Sequence, residues 1–274
     1  MRLFVITASD APVAAVLRRG PSDWWHVGRW TLDEPAYEPG AWFRGALYPQ
    51  KCDLSPDGRW LAYSALRANA TWAAGSVYEA VSRLPWLEAL AAWEEGTTYT
   101  RGAHFDAGAA GTCALGTPEV GDAAPIINRF GLAITRPVQF AVERRRGWIE
   151  SADTAPRDAG GPWDEDRTVV MEKARPGPAE PLTLTVEGSY AAFRSLPDLR
   201  SPAVYAVRTD DDLAVLDGVE WADWSADGRL LVGTESGAIE IRRVKGLTAE
   251  IEWSHDLSAL RPEPAPAPSW ASEP

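Results

Sequence analysis

Asp53-Leu54-Ser55-Pro56-Asp57-Gly58 sets oxygen-bearing side chains at alternate positions ahead of a glycine, the way a calcium loop begins. Such a loop closes on a bidentate glutamate at its twelfth position, and that place holds Ser64, or Thr234 in the related segment that starts at Asp223. The segment is therefore read as a turn capped by its own serine and aspartate. His26, His104 and His255, with Cys52 and Cys113, show none of the short spacings of a zinc site, so neither a metal nor a cofactor is expected. A nucleophile elbow, a Ser-x-x-Lys pair and a phosphate loop are all missing from the sequence. Carboxylate pairs are frequent: Asp153 with Asp158, Asp164-Glu165-Asp166 and Asp210-Asp211-Asp212. Two carboxylates at the right separation can hydrolyse a glycoside, but these groups lie in turn-like stretches, where a solvated surface is the simpler reading.

Fourteen tryptophans are the other chemical resource. An indole face stacks on sugars, cations and partner side chains, and a buried indole fills core volume. Trp60, Trp221, Trp224 and Trp253 lie in or beside apolar runs and are assigned to the core, whereas Trp25, Trp42 and Trp86, near turns, are expected to be exposed. Arg83, Trp86 and His104 surround a segment that does not repeat, and they are the candidate ligand-binding residues. The competing reading of Arg83 is an ion pair with a surface carboxylate.

The elements that position these residues come from an internal repeat. Asp53-Leu54-Ser55-Pro56-Asp57-Gly58-Arg59-Trp60-Leu61 overlays Asp223-Trp224-Ser225-Ala226-Asp227-Gly228-Arg229-Leu230-Leu231 with six of nine residues identical. Each copy reads as a strand, a tight turn in which Gly58 or Gly228 supplies a positive φ, and a second strand. Downstream, Ala238-Ile239-Glu240-Ile241-Arg242 alternates as a half-buried outer strand does. Inner strands of continuous hydrophobicity beside an alternating one describe a propeller blade. The copies are 170 residues apart, four steps of about 42, a common blade period, and this predicts an all-β propeller of about six degenerate blades. Further strands are expected at 3–8, 11–17, 24–30, 42–48, 138–142, 147–150, 182–186 and 204–207. Residues 81–93 have helical spacing but carry Pro85, so two strands broken at Leu84-Pro85-Trp86 are expected, a short helix being the alternative. Residues 1–260 are read as one domain with an exposed insertion at about 151–181, rich in Pro, Gly and Asp; 261–274, with proline at nearly every second place, are read as a disordered tail.

At 274 residues, 45% hydrophobic and 24% charged, the composition is that of a globular protein able to bury a full core. A formal net charge of -12 argues against a nucleic-acid partner, because phosphate binding is carried by clustered cations. The first apolar run is too short for a secretory or membrane-spanning segment, and two cysteines make no disulfide framework; a cytoplasmic protein with free thiols and no membrane contact is expected.

The Asp-x-Ser-Pro-Asp-Gly-Arg segment resembles the blades of TolB-like and WD-type propellers. Lys51 to Arg59, Val81 to Trp86 and Trp221 to Trp224 together resemble an uncharacterised bacterial propeller-like family, over about half of the chain. That family carries a glycine run where this chain reads Arg101-Gly102-Ala103-His104-Phe105. The resemblance implies the propeller fold and no activity. Degenerate blades, an acidic surface and the missing nucleophile motifs point to a protein-interaction or scaffolding module with a protein partner. The alternative is a small-molecule or carbohydrate-binding propeller, with paired carboxylates available for hydrolysis.

Overall fold

The computed structural model describes residues 2–68, 75–96, 98, 102–105, 119–120, 132–135, 140–152, 154, 168–189 and 203–272. Cys113, Asp153, Asp158 and the Asp164-Glu165-Asp166 group lie outside them, as does most of the 151–181 insertion before Thr168. The chain divides into two compact units, one of residues 1–3 with 138–260 and the other of residues 4–137 with 261–274.

The unit of residues 4–137 and 261–274 holds two blade-like sheets. In the first, β1 (Arg2–Thr7), β2 (Val13–Arg19), β3 (Trp24–Thr31) and β4 (Ala36–Arg44) form a meander in chain order. β2 begins with five apolar residues and is buried on both faces along nearly its whole length, as an inner strand must be, whereas β4 has one buried residue in nine. In the second, β5 (Ala46–Leu47) and β6 (Asp53–Leu54) flank a 310 turn at Pro49–Lys51 and both pair with β7 (Trp60–Leu66). The meander continues through β8 (Val77–Arg83) and β9 (Ala89–Glu94). Pro85 ends β8 as expected, because a strand that meets proline loses a ladder donor. β10 (Gly102–Phe105) makes a separate two-stranded sheet with β12 (Leu132–Thr135), and β11 (Glu119–Val120) joins β9 in parallel.

The unit of residues 138–260 holds the other two. β13 (Ile149–Glu150), β14 (Thr168–Ala174), β15 (Thr183–Ser189), β16 (Val204–Arg208) and β17 (Leu213–Val215) form a five-stranded antiparallel sheet. β18 (Val219–Trp224), β19 (Leu230–Thr234), β20 (Ala238–Lys245) and β21 (Thr248–Asp256) form a four-stranded one. One apolar cluster serves both, with Met171, Leu184, Val186, Tyr205, Trp224 and Val232 among its members.

The fold class is therefore the all-β propeller class, with four blade-like sheets among the described residues where a fixed period gives about six. The period overcounts because it assumes equal repeats. The two turn motifs fall in the second and fourth sheets, and the residues between them include a two-stranded sheet and a helix as well as one blade-like sheet. That helix, Ala141–Arg145, corrects the strand expected over 138–142: Phe140 is fixed in the apolar cluster with φ 55°, which turns the chain away from an extended path. The outermost strand of the fourth sheet is β21, and Ala238 to Arg242 belongs to the more buried β20.

The tail differs from a free chain. Ser269–Ser272 form a 310 turn, Ala271 is completely buried, and Arg261–Pro274 belong to the same compact unit as residues 4–137. Prolines at 262, 264, 266 and 268 restrict the unfolded chain, so fixing this segment costs less entropy than a flexible linker would.

Candidate functional site

Both turn motifs close through the same glycine bond. Gly58 N–H donates to the Ser55 carbonyl (2.9 Å) with Gly58 at φ 73°, and Gly228 N–H to the Ser225 carbonyl (3.0 Å) with φ 80°; the serine N–H then closes the turn one residue differently, Ser55 on the Trp60 carbonyl (2.8 Å) and Ser225 on the Arg229 carbonyl (2.9 Å). The Ser55 hydroxyl donates to Asp57 Oδ1 (2.6 Å), and Arg59 Nε donates to Asp57 Oδ2 (2.6 Å). Ser225, Asp227 and Arg229 form the same triplet. Burial pulls the Asp57 carboxyl upward, but the bonds from Ser55 and Arg59 outweigh it and hold it below its ordinary value. These oxygens are turned to donors within the turn, and among the described residues none of the acidic, histidine or cysteine side chains gather as a metal site.

The leading aspartate of each motif is buried and reaches outside the turn. Asp53 Oδ2 accepts the Phe105 N–H of β10 at 2.9 Å, and Asp223 Oδ1 accepts Lys173 Nζ of β14 at 2.7 Å. The motif is thus a turn that carries a fastening for a neighbouring sheet. Burial raises the Asp223 carboxyl above its usual value although Lys173 opposes it.

The first copy differs from the second in having Trp60 where the second has Leu230, and this builds the candidate site. Trp60 and Arg83 are cross-strand partners on β7 and β8, so the guanidinium sits 5.9 Å from the indole centroid. Arg59 lies 5.7 Å from the same ring. Arg83 also lies 5.4 Å from the ring of Trp270, and its Nη1 donates to the Trp270 carbonyl at 3.1 Å. The result is an alternating ladder of Arg59, Trp60, Arg83 and Trp270, with each cation against an aromatic face. The turn beside it is held on two sides. Leu84 N–H donates to the Arg59 carbonyl, and Ala41 N–H of β4 donates to the Pro85 carbonyl. A β-carbon on Gly40 would stand 2.2 Å from that carbonyl oxygen, so only glycine lets β4 come this close.

Of the sequence candidates, Arg83 and Trp86 share this turn: Trp86 N–H donates to the Arg83 carbonyl at 2.9 Å, and both side chains are half-buried. Arg83 pairs with aromatic rings and a carbonyl, and among the described residues no carboxylate holds it. His104 stands on β10, opposite Ala133 of β12, in a different sheet. Trp25 is buried, against expectation, because β3 is an inner strand that places it between Arg19 of β2 and Phe43 of β4. Trp42 and Trp86 are half-buried; Trp60, Trp221 and Trp224 are core, as expected. Trp253, expected in the core, is half-buried and stacks on His255 along the outer strand β21.

Two buried polar groups were not singled out in the sequence. The first is Lys51, Glu79 and Glu95. Lys51 Nζ donates to the Thr98 carbonyl at 2.6 Å, Glu95 accepts Trp93 Nε1 at 3.0 Å, and Glu79 accepts the Ala103 N–H while its Oε1 is buried with no hydrogen bond. Burial and the neighbouring Glu95 push the Glu79 carboxyl well up, and burial pulls the Lys51 ammonium down. Glu79 and Lys51 are only 1% and 3% exposed, and Glu79 fastens β10 through the Ala103 N–H. The signal was a glutamate inside the apolar run Val77-Tyr78-Glu79-Ala80-Val81. The second is His26, whose Nδ1 is 3.0 Å from the Tyr37 hydroxyl and whose ring centroid lies 4.6 Å from that of Trp42.

No family model matches the chain, and no curated protein matches it.

Proposed function

We propose that the chain is a protein-interaction module that docks extended, proline-rich segments ending in an aromatic residue on the Arg59-Trp60-Arg83 ladder beside Trp86. The observation that carries this reading is the tail itself. The segment Pro262 to Pro268 leads to Trp270, which stacks on Arg83 while Ala271 enters a fully buried place. A surface that holds such a segment of its own chain has the chemistry to hold one from a partner: aromatic faces, a guanidinium to bond a backbone carbonyl, and a ligand with little entropy to lose. The resemblance of the two turn motifs to TolB-like and WD-type propellers, and of the wider segments to a bacterial propeller-like family, bears on the fold; a cytoplasmic scaffold is part of the proposal.

The test uses the full-length protein and a fluorescent peptide of residues 261–274. Ala271→Arg displaces the tail, since an arginine cannot occupy a site with no exposed area. The peptide is expected to bind Ala271→Arg at least tenfold more tightly than the wild type, whose own tail competes, and binding is lost again in Ala271→Arg/Arg83→Ala. Equal binding with and without Arg83 refutes the reading.

A further inference from the structure

We propose that β17 is a second docking edge, which adds an extended cationic strand from a protein partner to the sheet of β13 to β17. Leu216 N–H donates to the Tyr205 carbonyl at 2.8 Å and Thr209 N–H to the Asp212 carbonyl at 2.9 Å. With Val207 opposite Ala214 between them, these fix the hydrogen-bonded pairs of β16 and β17. Leu213 and Val215 occupy the alternate places, so their N–H and C=O groups face away from β16 along an edge on which no strand among the described residues pairs. Their side chains are 54% and 51% exposed, and Val204 on β16, on the same face, is 44% exposed.

An edge of this kind invites another strand, because unsatisfied backbone groups lie beside apolar side chains. The charge around it selects which one. Asp210, Asp211 and Asp212 precede the strand and Asp217 follows it, all exposed. Arg208, the cation opposite Leu213, is committed to Glu172 at 3.3 Å. The fitting partner has apolar residues at every second place, to cover Leu213 and Val215, and lysine or arginine between or beyond them. This edge belongs to the unit of residues 138–260, shares no residue with the Arg83 ladder, and stands or falls independently of it.

The probe is a labelled Lys-Val-Lys-Val-Lys peptide titrated into the full-length protein and followed by fluorescence anisotropy. Binding is expected to weaken at least tenfold in Val215→Pro, which deletes an outward donor and leaves the pairing with β16 intact. The triple variant Asp210→Asn/Asp211→Asn/Asp212→Asn is expected to weaken binding and flatten its salt dependence. A Glu-Val-Glu-Val-Glu peptide should not bind. If Val215→Pro perturbs the fold, the same point is tested from the peptide side, where N-methylation of alternate residues removes the donors that meet β17 and is expected to abolish binding. Absence of binding, binding that ignores both proline and N-methylation, or self-association through β17 in sedimentation would each overturn the proposal.

Discussion

Acidification should destabilise the first sheet through His26. The imidazole is buried, with Tyr37 and Trp42 against it, and burial, aided by the charge of Arg18, lowers its pKa to about 4 from 6.5. The folded state therefore holds the neutral ring more firmly than the unfolded chain does. The contribution is fully present above the unfolded value and is lost as pH falls through 6.5 toward 4. A gap of this size corresponds to about 3 kcal/mol in full, and about 2 kcal/mol of it disappears between pH 7 and pH 5. The assay is urea unfolding at those two pH values for the wild type and for His26→Asn, whose amide can still meet the Tyr37 hydroxyl. Other titrating groups change both proteins alike, so the wild type should lose about 2 kcal/mol more than the variant. A native-state NMR titration in which His26 protonates near 6.5, or identical pH slopes for the two proteins, would refute the reasoning.

Three further outcomes follow from the buried groups and the turns. Asp223→Asn or Lys173→Met alone should cost about 3–5 kcal/mol in chemical unfolding, because each leaves a buried partner stranded, while an apolar double replacement should cost less than either. Glu79→Gln should remove a decline in stability with rising pH: the folded carboxyl titrates above its unfolded value, so its proton stabilises at low pH and is lost as pH climbs through the folded value. A wild type and variant with parallel stability profiles between pH 5 and pH 9 would contradict this. Gly218→Ala should cost about 1–2 kcal/mol from its φ of 69° alone, and Gly58→Ala more, since its β-carbon would also stand 2.9 Å from that of Val13; paired thermal melts decide the order.

The inner strands and the two turns were legible because their causes are local. The Pro85 break, the glycine turns at 58 and 228 and the apolar runs of β2, β7 and β19 each follow from residues a few places apart. The number of blades was not legible, since it depends on how much chain is spent on β10 to β12 and the helix at 141–145. Arg83 and Trp86 share one turn, as their nearness in sequence suggests, but their setting was not legible: the ring that completes the ladder comes from Trp270, 187 residues from Arg83. Compositional reasoning set the tail aside because prolines prevent regular structure, but they do not prevent docking. The buried Asp53 looked like part of a turn because its partner, the Phe105 N–H, lies 52 residues away and is a backbone group that sequence does not mark.

The two carboxylates that hold β10 have a consequence for which substitutions the chain tolerates. Ala103 and Phe105 are gripped by their backbone N–H groups, through Glu79 and Asp53, and every residue but proline supplies such a group. The requirement for a particular side chain is thereby moved off β10 and onto positions 24 and 52 residues away from their partners: 79 and 53 must keep an acceptor, while 103 and 105 answer only to the space around them. A saturation scan would show acid-or-amide preference at the first pair, and at the second a veto on proline set apart from the limits of size.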